Sequence, residues 1–328
     1  MTRKVPDRVL AAARAARAPE ALTEAARRKR FGPVAELPIE PGQLWRARTA
    51  SVVMFLLLLD GLDDEAEPDR RRILAAPTTV DPPGEDDRSL VLNETANVFG
   101  VEVTVWAGLA KPVPIHVLED ILDQVPGGIV EYCRTLTMGE EPLAALPAQS
   151  RRGHPIRSAF APSAEVRSDV EDEWSTLVES AGLPVANAAI PGELARPKLP
   201  LRLAQVMQAL GLPQPAAMQL LRGKYPLTPE QAQQLAEVAG LSESDVLDTV
   251  HPLPAGVVSA VEHPRARMRL LQLASRTGRS EEQTRRGAAY AVYALAARET
   301  GGAGAWRQRL DRWLDSKLAS GPHDERRL

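Results

Sequence analysis

Apolar positions change their period along this chain. Between residues 37 and 135 they come in short runs at 43–48, 52–59, 73–80, 90–93 and 101–107, rich in Val, Leu, Thr or Trp. Turn residues separate them: Pro41-Gly42, Asp60-Gly61, Pro82-Pro83-Gly84 and Phe99-Gly100. Runs of this length and spacing predict strands of a small barrel. Residues 52–59 are apolar on both faces, which predicts a central strand. Residues 101–106 alternate, with Val101, Val103 and Val105 on one face, which predicts a strand wet on its other side. Residues 116–125 carry Val117, Leu118, Ile121 and Leu122 at helical spacing and predict a helix closing one end of the barrel.

Elsewhere the period is helical. Residues 6–30 predict one helix with a thin apolar stripe, Val9, Leu10 and Ala13, ending in the basic cluster Arg27–Arg30. Residues 136–164, with Pro142, Pro147, Pro155 and Pro162, read as a connector. Residues 165–179 place Val166, Val170, Trp174 and Leu177 on one face of a helix. From residue 201 to residue 318 only helices are predicted. The last three span 264–276, 280–300 and 306–318, the middle one opening on a capping box of Ser280 with Gln283 and burying Ala288, Val292 and Leu295. The predicted divisions are a helical arm at 1–36, a barrel at 37–135, a linker at 136–164, a helical domain at 165–254 and a helical extension at 255–328.

Composition narrows the class. With 328 residues, 44% of them apolar and 25% charged, the chain has material for two or three folded domains. A single cysteine, Cys133, excludes a disulfide framework. The longest apolar run is about half of what a bilayer span needs, and residues 1–30 are charged throughout. The expectation is a cytoplasmic protein without a membrane partner. Five scattered histidines, and the absence of HExxH, paired-cysteine and Gly-rich phosphate motifs, give no metal, cofactor or catalytic residue to assign.

The net charge of −3 hides strong local fields. Residues 1–36 carry +5, residues 37–150 carry −11, residues 151–262 carry −4 and residues 263–318 carry +7. Between Glu193 and Glu230 there is no acidic residue, and Arg196, Lys198, Arg202, Arg222 and Lys224 all lie there.

That window contains VMQALGLPQPAAMQLLRG, residues 206–223. Val206, Met207 and Leu210 suit the inner face of a first helix, Gly211 a tight turn, and Leu212 a plug of the core. Ala217, Leu220 and Leu221 suit the inner face of a second helix starting at Pro213 or Gln214 and ending at Gly223. Gln214, Pro215, Met218 and Gln219 then face outward. A third helix follows at 229–239, after Thr228 as N-cap, with Ala232, Leu235, Ala236 and Ala239 inside, and a fourth starts at Ser242. LGL at 210–212, LLRGK at 220–224, LTPEQAQQLAEVAGLS at 227–242 and DVL at 245–247 resemble the Cro/XRE-type helix-turn-helix family over residues 201–250. The resemblance implies a DNA-binding transcriptional regulator. It makes Gln214, Met218 and Gln219 the base-reading side chains. Arg196, Lys198, Arg202, Arg222 and Lys224 become the phosphate contacts. Met207 stands where that family usually has alanine, and Pro213 and Pro215 are unusual in a reading helix.

PGQLW at 41–45, ILAAPTT at 73–79 and VPIHVLEDIL at 113–122 look like the MazF/Kid/PemK small barrel. That likeness implies an SH3-like β-barrel and places Thr78 or Thr79 at the hydroxyl position of an RNA-cleaving site. The basic stretch of that family is missing, with Thr49, Ala50 and Ser51 in its place, and the charge of −11 repels an RNA backbone. The expected fold class is therefore α+β multidomain: a small SH3-like β-barrel, then an all-α helix-turn-helix domain and C-terminal helices. The expected function is non-enzymatic. A homodimer binds double-stranded DNA and an effector or protein partner occupies the acidic barrel. Two other readings stand beside it, an antitoxin-like or phage-defence accessory protein working through protein contacts and a MazF-like ribonuclease. For the C-terminal helices, their +7 charge suggests an extended phosphate footprint, their Tyr and Trp residues a dimer surface, and plain packing neither.

Overall fold

The computed structural model describes residues 23–34, 37–62, 70–80, 84–142, 145–180, 182–183, 198–223, 227, 229–250, 253–296 and 305–319. The chain divides into two compact units, residues 1–180 and 181–328. Its class is α+β. Among the described residues there are eight strands, in one antiparallel sheet, and eleven α-helices.

In the first unit the strands are β1 (Gln43–Arg48), β2 (Val53–Leu58), β3 (Arg72–Thr79), β4 (Leu90–Leu92), β5 (Val103–Val105), β6 (Lys111–Pro114), β7 (Leu118–Gln124) and β8 (Ser150–Arg152). Their order is β7-β1-β2-β3-β5-β4-β8, with β6 also pairing β3. The sheet is open. A closed SH3-like barrel is not what these strands form, because β7 and β8 end the path without pairing each other.

Both faces of the sheet are covered, and the alternation of side chains shows by what. Trp45, Leu56, Leu58, Ile73 and Ala75 point to one core, which they share with Val166, Val170, Trp174 and Leu177 of helix α3 (Pro162–Val178). Leu44, Leu57, Leu59 and Ala76 point to the other, shared with Ile129, Val130, Cys133 and Leu136 of helix α2 (Gly127–Met138). This is why residues 52–59 are apolar on both faces. Val103 and Val105 are buried but so is Thr104, so β5 has no wet side, while Val101 lies outside the strand and is exposed.

Three divisions expected from the sequence change. Residues 116–125 are not a helix: a 3-10 turn at Ile115–Val117 leads into β7, whose partner is β1. Helical spacing of four apolar residues was outweighed by pairing with an open sheet edge, because burial on two sides also satisfies an apolar strand. The 136–164 stretch is more than a connector, since its residues 150–152 form β8 beside β4. Arg151 pairs with Glu85, and His154 Nδ1 bonds the same carboxylate at 2.6 Å. Helix α3 packs on the sheet rather than with the helices that follow, and Trp174 Nε1 donates to the Leu109 carbonyl at 2.7 Å.

Helix α1 (Glu24–Phe31) buries none of its residues and is tied down by charge. Arg27 pairs with Asp120 and Arg30 with Asp123, both on β7. The basic cluster is thus a salt-bridged helix end. The rest of the helix expected at 6–30, and the acidic run 63–69, lie outside the described residues. Thr78 is buried with its hydroxyl donated to the Ala76 carbonyl at 3.4 Å, and Thr79 Oγ1 accepts from Trp106 Nε1 at 2.9 Å. Burial pushes the Cys133 thiol up to about 12, so it is a packing residue rather than a nucleophile.

Trp174→Ala should cost about 3–5 kcal/mol, the usual range for deleting a buried large aromatic. Amide exchange locates the loss. Protection falls in β1, β2 and β3, and loss confined to residues 203–248 would contradict the placement of α3.

Candidate nucleic-acid interface

The second unit holds α4 (Leu203–Leu210), α5 (Gln214–Leu221), α6 (Pro229–Ala239), α7 (Glu243–Asp248), α8 (Ala255–Glu262), α9 (Pro264–Thr277), α10 (Glu281–Ala296) and α11 (Trp306–Ala319). No helix among the described residues is long and apolar enough to cross a membrane.

Helices α4 to α7 close around their own core. Val206, Ala217, Leu220, Leu227, Ala232, Leu235, Ala236 and Val246 are buried in it, and Met207, Leu210, Leu212 and Leu221 pack partly buried against it. Leu199 and Leu201, just before α4, are buried in the same cluster. Their alternation in KLPLRL was the signal that sequence reading passed over.

Local chemistry sets the helix ends. The Gln205 side chain accepts from the Arg202 backbone N–H at 2.9 Å and opens α4. Gly211 ends it at φ 62°, left-handed backbone that a residue with a Cβ adopts only at a cost. Pro213 starts α5 in an extended conformation, and its carbonyl accepts from the Ala216 and Ala217 N–H groups at 3.0 and 3.1 Å. Neither Pro213 nor Pro215 has an N–H. Gln214 therefore supplies the one backbone donor that the first turn has left for a ligand. Gly223 closes the segment at φ 68°. Ser242 caps α7, accepting from the Asp245 N–H at 3.1 Å. The expected cap at Thr228 lies outside the described residues.

The outer side of α5 is exposed at Gln214, Pro215, Met218, Gln219 and Arg222. These positions are separated by three and four residues and make one face. Among the described residues, no hydrogen bond or ion pair engages the side chains of Gln214, Gln219 or Arg222. Lys198 and Arg202 are exposed as well and have no carboxylate partner among the described residues. Arg196 and Lys224 lie outside them.

The cations of the C-terminal helices are in a different condition. Arg267, only 4% exposed, pairs with Glu281 at 2.9 Å, and Arg285 reaches the same carboxylate at 2.5 Å. Arg269 bridges Asp311 at 2.8 Å and Asp315 at 2.5 Å. Arg286 bridges Glu243 at 3.0 Å and Glu282 at 3.1 Å, tying α10 to the start of α7. Arg276 donates to the Leu318 carbonyl, and Arg309 lies 4.9 Å from the Trp306 ring centroid. Four of the twelve basic residues of this segment are thus held by carboxylates that join the helices. Tyr290 is buried and Trp306 and Trp313 pack partly buried on the core of α8 to α11, while Tyr293 is exposed. Leu295 is exposed rather than inside.

No group of three or more His, Cys, Asp or Glu among the described residues is placed to hold a metal ion. No protein-family model matches this chain, and no curated protein matches it.

Leu220→Ala should destabilise the second unit by about 2–5 kcal/mol, because it empties the core between α4, α5 and α6. Gln219→Ala, one position away and exposed, should stay within about 0.5 kcal/mol. Urea denaturation of the two variants checks the assigned inner and outer faces.

Proposed function

We propose that this chain is a DNA-binding regulator whose α4–turn–α5 segment docks on duplex DNA. The observation that carries the reading is the outer face of α5, with Gln214, Met218 and Gln219 exposed beside Arg222, which has no ion pair among the described residues. With its side chains an α-helix is about 10–12 Å across, a size that a major groove about 12 Å wide accepts. Glutamine side chains present the donor and acceptor that adenine's edge complements. Lys198, Arg202 and Arg222, with Arg196 and Lys224 from the same acid-free stretch, supply the phosphate-facing charge. The resemblance of residues 201–250 to the Cro/XRE-type helix-turn-helix family supports the same assignment.

One such segment makes few base contacts, so the reading includes a homodimer on a two-fold site. The sheet unit, with residues 37–150 carrying −11 and Arg27, Arg30, Arg46 and Arg151 already ion-paired, serves a partner or effector rather than nucleic acid. A specific observation favours a protein partner there. Glu165, Asp169, Asp172 and Glu173 stand exposed along the outer side of α3, and a carboxylate row repels phosphate and attracts a basic protein surface. That row is the observation that favours the reading in which the chain works through protein contacts.

The test is a salt titration of duplex binding. The logarithm of the affinity should fall linearly with the logarithm of salt concentration, by about 0.9 per phosphate neutralised. Arg222→Ala and Lys224→Ala should each weaken binding to every sequence and reduce that slope by about one. Arg269→Ala, removing a cation already held by two carboxylates, should leave the slope alone. A flat salt dependence removes the DNA reading, and co-purification with a stoichiometric protein without any duplex shift replaces it.

A further inference from the structure

We propose that the α5 face reads adenine–thymine pairs, with Met218 seated on thymine 5-methyl groups and Gln214 and Gln219 on adenine. This rests on the DNA reading above and specifies its substrate. The inference comes from which chemistries the face lacks as much as from those it has. Guanine is read through its two acceptors by Arg or Lys, and cytosine through its amino group by Asp or Glu. From residue 203 to residue 221 the chain carries no charged side chain at all. The side chains that project from α5 between its ends therefore include no guanine reader of the cationic kind and no carboxylate for cytosine.

What remains is two amides and an apolar group. Gln214 and Met218 are one turn apart on the same side, and Gln219 adjoins Met218. Met218 is 36% exposed in a helix whose neighbouring apolar residues Ala217 and Leu220 are buried at 0% and 1%. It is an apolar group left in water next to two hydrogen-bonding amides. The thymine methyl is the one apolar feature on a base edge in the major groove, and covering it removes both groups from water. The prolines act in the same direction. With N–H groups missing at Pro213 and Pro215, the start of α5 is a poor phosphate cradle. On α5 itself the phosphate-facing charge sits at Arg222, the opposite end, leaving the first turn to approach bases.

The experiment selects sites for the full-length chain from a random duplex library. The best duplex is then remade with uracil in place of thymine, which deletes only the methyl groups. Enriched sites should have an A·T core. Uracil should weaken binding by about fourfold per contacted methyl, the factor expected from about 0.8 kcal/mol for one buried carbon. Met218→Ala should bind more weakly and lose the thymine–uracil difference. Its unchanged melting temperature shows that the fold is intact, as an exposed position allows. A G·C-rich core, or equal affinity for thymine and uracil duplexes while binding remains salt-dependent, overturns this inference and leaves the DNA reading standing. No selectable duplex at low salt overturns both.

Discussion

A guanidinium held by a carboxylate of its own chain has little left to offer a phosphate backbone, because binding there draws its strength from releasing counterions. This constraint sorts the basic residues of the second unit into two sets. Arg267, Arg269, Arg285 and Arg286 are clamped between α7, α9, α10 and α11 by Glu243, Glu281, Glu282, Asp311 and Asp315. The acid-free stretch around α4 and α5 has no carboxylate of its own to do the same for Lys198, Arg202 and Arg222. The proposed interface depends on that contrast between paired and unpaired guanidinium groups more than on net charge, which is greater in the C-terminal helices.

The contrast extends to the first unit. There the cations are again spent internally, Arg27, Arg30 and Arg46 on the acidic strand β7 and Arg151 on Glu85. Glu85 shows the balance of forces. Its partial burial raises its pKa, but hydrogen bonds from His154 and Arg151 outweigh that and hold the carboxyl below its ordinary value. Its charge-dependent stabilisation is present above the ordinary carboxylate range and is lost as pH falls through the lowered value. The surplus acids, including the exposed row on α3, are left facing solvent.

Much of this was legible in the sequence. The strands 43–48 and 53–58 followed from apolar runs bounded by turn residues, and α4, α6 and α7 from helical spacing, with Gly211 after α4, Gly240 after α6 and Ser242 before α7. The outer set Gln214, Pro215, Met218 and Gln219 followed from Ala217, Leu220 and Leu221 being placed inside. What escaped depended on partners distant in the chain. Leu118, Ile121 and Leu122 satisfy a helical period and a two-faced strand equally, and only pairing with β1 decides between them. Val166, Val170 and Trp174 give a helix its inner face without saying which core receives it. Burial of the Tyr290 ring, and the carboxylate partners of the C-terminal arginines, likewise arise from packing between helices.

Methionine methyl groups offer the most direct view of the interface, because only six methionines are present and they are spread over both units. With ε-methyl-labelled full-length protein and a selected duplex, the Met218 signal should shift or broaden on complex formation. Met54, buried in the sheet core, and Met138, exposed at the end of α2, should stay where they are. A saturated complex in which Met218 is unmoved while Met138 shifts would show that the duplex lies elsewhere and that α5 is not the reading helix.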